Sequence, residues 1–455
     1  MNIYFRISLV NHKKLRTNLH LFILMFPKNL LINVKKVKYP VVQLALAQTK
    51  CDQTEEDSRA NLIWWDGYIS TDEFLNFYSY QKVNKIPAMD VMCYKNNFFQ
   101  SLQKMQSLYP SFYSFFATTF QIPFQYSDFQ REHNRQSGRA TWIFKPRSGC
   151  CGNGIKLIQN CFDLARETRP AIIQRYINPY LINGYKFDFR LYILCSKISP
   201  FTVYLYKEGL ARFCSVPYEP PNISNLDNKM CHLTNTAVNI KNDKFGDQNK
   251  NNKTIGNENE DNDDSKDIGI LKLASEVLKS MENGNQIWYR ISQIVALTMI
   301  ALLPQILHNI SLFSLDNSNS HKYVKMLTPK LEPYDRYFHI LGIDILINDK
   351  MEPIVLELND RPSMCVSYPI EEKLKSNLVL DALKTVYTNK TGGWQQVLPA
   401  NENRPFGKAL VQIQQQAIKD TKISSSSNKP IKMKRYVPLR GPRKGGLPPL
   451  SKSHQ

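Results

Sequence analysis

Two stretches late in the chain set oxygen donors inside apolar strand text. Phe338–Ile347 and Ile354–Asp360 each read as a buried, β-branched strand, with Asn348, Asp349 and Lys350 as the turn between them. A carboxylate in an apolar strand is costly to bury unless something neutralises it. Here there are two, Asp344 and Glu357, and Asn359 shares the face of Glu357 because it follows two positions later. Three oxygen donors on neighbouring strands suit a hard cation such as Mg²⁺, which keeps some waters and shares its shell with substrate phosphates. The competing reading is a strand Asp at a sheet edge, or one paired with a buried Arg.

A second group lies earlier. Thr141–Lys145 reads as a strand ended by Pro146, and a loop from Arg147 to Gly154 leads into a strand at Ile155–Ile158. A Lys at a strand end fixes a cation, and Gly149, Gly152 and Gly154 let backbone amides approach phosphate oxygens. No Walker A spacing is present, and the Lys precedes the glycines, unlike the protein-kinase order. A third group is Lys186–Arg190, where alternation puts Lys186, Asp188 and Arg190 on one face and Phe187, Phe189 and Leu191 on the other. Its charged face is either a structural ion-pair ladder or a set in which Lys186 meets phosphate, Asp188 a ribose, and Arg190 a phosphate or carboxylate. Gln174–Ile177 ends a strand where a base could take backbone hydrogen bonds, and His232–Asn235 is a compact polar cluster.

The elements that must position these groups form an α/β (α+β) pattern. Residues 30–137 mix short strands and helices, with a strand at Leu62–Asp66 and a helix near Tyr94–Leu108. Strands follow at Ala171–Ile177, Phe187–Cys195, Phe201–Tyr206 and Leu210–Cys214. Residues 241–267 read as a disordered Asn/Asp/Lys-rich insertion within a unit spanning 138–395. Helices are expected at Leu271–Met281, at Ile287–Asn309 with a kink at Pro304, and near Glu371–Tyr387. Residues 396–455 read as a basic, largely disordered tail, and 1–29 as a basic extension.

Charge is concentrated at the ends. Residues 1–51 hold nine Lys/Arg and no acid, and 401–455 hold twelve against two acids, out of a net charge of +20. Such ends attract a polyanion through a screened, non-specific field. The acid-free start is poor in Ser and Ala and runs into a strand, which argues against a transit peptide. Nine scattered cysteines with no Cys-x-x-Cys spacing read as reduced thiols without zinc. No unbroken apolar run approaches the length of a membrane span.

Taken in order, these motifs resemble the tubulin–tyrosine ligase-like enzymes, which have an ATP-grasp fold. The resemblance runs from about Leu30 to Tyr387. It rests on Trp142–Pro146, Gly152–Ile155, Gln174–Ile177, Lys186–Arg190, Lys207–Arg212, His232–Asn235, Gly342–Asp344 and Glu357–Asn359, with Tyr80–Pro87 upstream. It implies that Lys145, Gly152, Gly154, Ile155, Lys186 and Asp188 bind ATP, with Gln174, Arg175, Tyr176 and Ile177 framing the adenine. Asp344, Glu357 and Asn359 would carry Mg²⁺, and Arg190, Arg212 and Asn235 would surround the transferring phosphate and the acceptor. Arg175, Thr236, Asp360 and Arg361 depart from the family pattern. The loop at Ser148–Gly154 is similar to that of the side-chain-elongating glutamylases. The implied activity is ATP-dependent addition of free glutamate to tubulin tails by a monomer in the cytoplasm, on the cytoskeleton or at a cilium or basal body. The alternatives are a glycylase and a non-catalytic microtubule-binding protein; neither a nucleic acid nor a membrane is expected as partner.

Overall fold

In a computed structural model, residues 26–426 are described except 137, 139, 148, 150, 151, 241–269, 315–330 and 389. The expected insertion at 241–267, most of the 1–29 extension and residues 427–455 lie outside the described residues.

The chain opens with parallel pairing. β1 (Leu31–Lys36), β2 (Asp52–Thr54), β3 (Leu62–Trp65) and β4 (Lys82–Val83) make a sheet in the order β2-β1-β3-β4. α1 (Pro40–Gln48) starts on a proline, where the missing N–H costs nothing. α2 (Thr71–Asn76) starts on a capping box between Ser70 and Glu73. α3 (Met89–Cys93) and α4 (Lys95–Leu108) follow.

A second, antiparallel sheet has the order β5-β8-β6-β7, from β5 (Thr119–Ile122), β6 (Trp142–Pro146), β7 (Lys156–Ile158) and β8 (Ala171–Arg175). α5 (Tyr126–Arg135) packs on it through Phe129, edge-on to Trp142 at 5.2 Å between ring centroids.

The third sheet contains β9 (Leu181–Ile182), β10 (Tyr185–Lys197), β11 (Thr202–Tyr206), β12 (Leu210–Phe213), β13 (Leu271–Leu273), β14 (His339–Ile347), β15 (Pro353–Asn359) and β16 (Trp394–Leu398). β10 is its axis and pairs antiparallel with β11, β12 and β14; β15 adds to β14. Phe187, Phe189 and Leu191 are fully buried in the main core, which leaves the opposite face of β10 to Lys186, Asp188 and Arg190. The remaining helices are α6 (Lys229–His232), α7 (Thr236–Asn239), α8 (Ala274–Ser280), α9 (Gly284–Ser314), α10 (Pro369–Thr388) and α11 (Pro405–Ser426).

Three expectations need correction. The segment Leu271–Met281 begins as an edge strand, β13, and only then becomes a helix. α9 contains Pro304 as expected, but Gly284–Phe313 is long and apolar enough to cross a membrane, against the reading of the apolar runs. Counting unbroken apolar runs misses it, because Arg290 and scattered Gln, Asn and Ser interrupt the text. Ile291, Val295, Leu302 and Ile306 of this helix lie in the main core, so its apolar character is spent inside the fold.

Most of the first half of the expected tail is ordered. β16 completes a sheet edge against β11, and α11 buries Leu410, Ile413 and Ala417 in the main core. The apolar residues recur at helical spacing within Gln- and Lys-rich text, which composition alone hides. Leu410→Ala is therefore expected to cost about 2–5 kcal/mol in chemical denaturation. A detached tail would give no change.

Candidate active site

The charged side chains meet in one row across four strands. Register sets Arg212 of β12 opposite Asp188 of β10, Arg190 of β10 opposite Asp344 of β14, Asp344 opposite Glu357 of β15, and Gly342 opposite Asn359. Arg212 donates to both oxygens of Asp188, at 2.8 and 2.6 Å, and to Asp344 Oδ2 at 2.8 Å. Arg190 grips Asp344 through Nε and, at 2.9 Å, through Nη2. Burial by itself would raise the Asp344 carboxyl, but the two guanidiniums hold it well below the usual carboxylate range. Asp188 already holds two guanidinium bonds before any ribose is present. Gly342 makes room for this packing: a Cβ there would lie 3.0 Å from Pro362 and 3.4 Å from Arg190 Cδ.

β15 carries an extra residue here. Asp344 faces Glu357 but Ile345 faces Val355, so Leu356 bulges from the ladder. Its carbonyl lies 3.5 Å from Lys145 Nζ, which also donates to Gln174 Oε1 at 2.7 Å. Burial pulls the Lys145 ammonium down to about 8, although Glu357 opposes that. Lys186 Nζ donates to the Tyr176 hydroxyl at 2.9 Å and to the His232 carbonyl at 2.7 Å. Burial and the nearby Lys186 bring His232 down to about 4, so its ring is neutral near pH 7. Nε2 stands 3.2 Å from the Asn225 carbonyl and must carry the proton, so Nδ1 accepts from the Tyr176 hydroxyl at 3.1 Å.

Lys145, Ile155, Gln174, Arg175, Tyr176, Ile177, Lys186, Asp188, Arg212, Asn235, Asp344 and Glu357 all line one cleft between the second and third sheets. An adjoining cleft adds Gly152, Arg190 and Asn359 and shares Ile155, Arg212, Asn235 and Glu357. The backbone N–H groups of Arg175 and Tyr176 are spent on the Thr118 and Thr141 carbonyls. Gly154 lines neither cleft. It has φ +73°, and a Cβ there would fall 2.8 Å from Pro146 Cγ. Gly154→Ala should therefore cost about 1–3 kcal/mol, read as a lower melting temperature.

The donor set fits a hard divalent cation. Among the described residues no three His, Cys, Asp or Glu side chains gather as a metal cluster. The set here is two carboxylates and the Asn359 amide, whose Nδ2 donates to Glu357 Oε1 at 3.3 Å and leaves Oδ1 for a cation. A set so short of protein ligands suits Mg²⁺, which fills its shell with water and phosphate oxygens.

Three contributors were missed from sequence. The Tyr176 hydroxyl and the Leu356 carbonyl depend on long-range packing and on the bulge, which no local pattern announces. Lys95, at the start of α4, lies 3.3 Å from Glu357 Oε2. All seven described cysteines are free, as the scattered spacing implied.

The tubulin-tyrosine ligase family model matches residues 74–393, from α2 to the start of β16. The chain belongs to the tubulin-tyrosine ligase family. The mixed helix-and-sheet architecture agrees with the ATP-grasp fold of that family, and the matched span holds the whole charged row. Curated relatives carry one theme in their names. The chain is 32% identical over 366 residues to a probable beta-tubulin polyglutamylase of Tetrahymena thermophila, covering 78% of this chain and 28% of that one. It is 31% identical over 405 residues to the human tubulin polyglutamylase TTLL13, covering 88% and 46%. It is 33% identical over 360 residues to the mouse tubulin polyglutamylase TTLL7, covering 77% and 36%. This chain thus spans less than half the length of each of these family members.

Proposed function

We propose that this chain is the catalytic part of an ATP-dependent tubulin polyglutamylase. The observation that carries the reading is the row Arg212–Asp188, Arg190–Asp344–Glu357, of which Arg212, Asp188, Asp344 and Glu357 line one cleft with Lys145. The polyglutamylase names of the relatives favour glutamate over glycine. Residues 30–137 would form the N-terminal domain and 138–395 the ATP-grasp domains.

Lys145 and Lys186 hold the ATP phosphates, with Gly152 and Ile155 at the lip of the cleft. Arg175, Tyr176 and Ile177 face the adenine, Gln174 orients Lys145, and Asp188 lies at the ribose. Asp344, Glu357 and Asn359 hold Mg²⁺, which when bound offsets the negative charge on the phosphates. The acceptor carboxylate of a tubulin tail attacks the γ-phosphorus, and the bond to ADP breaks. Arg190, Arg212 and Asn235 stabilise the charge that spreads over the transferred group. The amine of free glutamate then attacks the acyl phosphate, phosphate leaves, and an isopeptide bond remains. No nucleophilic side chain is needed. The basic ends of the chain would meet the acidic tails, and the protein would act on the cytoskeleton, cilia or basal bodies included.

Incubation with microtubules, ATP, Mg²⁺ and labelled glutamate tests this. Glutamate should enter tubulin in an ATP-dependent way. Incorporation of glycine instead would make it a glycylase, and microtubule binding with no incorporation of either would make it a non-catalytic binder.

A further inference from the structure

We propose that Lys95 is a positioning residue that holds the cation place on Glu357 until the divalent ion arrives. This rests on the ligase reading for its metal, but its geometry is independent of the substrate. Lys95 Nζ lies 3.3 Å from Glu357 Oε2, the side chains being 13% and 24% exposed, and 3.4 Å from the carbonyl of Gly149 in the glycine hairpin. It therefore joins the N-terminal helix α4, the hairpin and the metal strand at one point, on the wall between the adjoining cleft and a further cleft lined by Asp66, Asp90 and Asp360, both of which reach Glu357.

Its own helix does not favour it there. Lys95 is the first residue of α4, which has no acidic residue in its first turn, and the helix dipole disfavours a cation at that end. Nor is the pair needed as a brace between these segments, because Arg147 already lies 4.7 Å over the ring of Tyr94, one residue away. A partly exposed pair of this kind contributes little, so a divalent ion can displace it. Without Lys95, Glu357 would face the clefts with only the Asn359 amide hydrogen-bonded to it and Lys145 beyond. With it, the carboxylate stays neutralised and aimed, and is handed over when metal and nucleotide enter together.

The test is Mn²⁺ titrated into the nucleotide-free protein and followed by electron paramagnetic resonance. Lys95→Met should bind Mn²⁺ about three- to fivefold more tightly than the wild type, as loss of one competing ion pair predicts. Lys95→Arg should stay near the wild type, and Lys95→Gln should follow Lys95→Met. In a Glu357→Gln background Lys95→Met should change nothing, because the competitor has lost its site. Melting curves establish that each variant is folded. Unchanged or weaker Mn²⁺ binding in folded Lys95→Met overturns the proposal. A wild type that behaves as described towards Mn²⁺, yet incorporates neither glutamate nor glycine, would overturn the ligase reading and leave the Lys95 assignment standing.

Discussion

Glu357→Gln is expected to lower glutamate incorporation by about 10²–10³-fold, the range seen when a preorganised electrostatic group is removed from an active site. The change keeps shape and removes one charge. A glutamine can still accept from Asn359 Nδ2, so the strand end keeps its local hydrogen bond. What is lost is an anionic oxygen on the strand position opposite Asp344, at the edge of the cleft. The melting temperature should change little, since what is lost besides the charge is one partly exposed ion pair to Lys95. Wild-type incorporation by a folded Glu357→Gln protein would remove Glu357 from the metal set and, with it, the row as an active site.

Arg212→Ala is expected to be the most destabilising single change in the site, about 3–5 kcal/mol at pH 7. Arg212 is buried and serves two buried carboxylates, so its loss strands Asp188 and leaves Asp344 with Arg190 alone. The pH dependence has a definite sign. In the wild type Asp344 sits below its unfolded value, so its contribution is complete above the ordinary Asp range near pH 4, and is lost as pH falls through the folded value. In the variant Asp344 keeps Arg190 alone, titrates higher than in the wild type and is relieved by protons sooner. The stability gap between the two proteins should therefore narrow from pH 7 to pH 5, by urea denaturation. A gap that widens would mean that Arg212 does not help to keep Asp344 ionised.

The framework of the site could be read from sequence because alternation and charge fall together. In β10 and β15 the charged positions step by two, and any pairing that buries Phe187, Phe189 and Leu191 must send Lys186, Asp188 and Arg190 to the other side. The same logic could not say which partner each charge would take. The buried-Arg partner for Asp344 is present in the geometry, whereas the charges of β10 pair across strands, Asp188 with Arg212 and Arg190 with Asp344, and Lys186 bonds to Tyr176 and the His232 carbonyl. The choice of partner depends on strand order, in which β10 lies between β12 and β14, and strand order is a long-range property. Lys95 escaped for a similar reason, since nothing in its neighbourhood along the chain distinguishes it from a surface lysine. α11 escaped because three buried apolar residues in Gln- and Lys-rich text do not look like a core helix until α9 is there to receive them.

The hydrogen-bonded file Lys186–Tyr176–His232–Asn225 has a consequence for the order of events. On the proposed reading Tyr176 would lie beside the base, and His232 stands three residues before Asn235, at the proposed acceptor end. A purine that moved the Tyr176 hydroxyl would disturb its bond to His232, which lies in the same short segment as Asn235. On that reading the base pocket and the setting of Asn235 would be linked through one hydrogen bond, and nucleotide before acceptor is the order that link would favour.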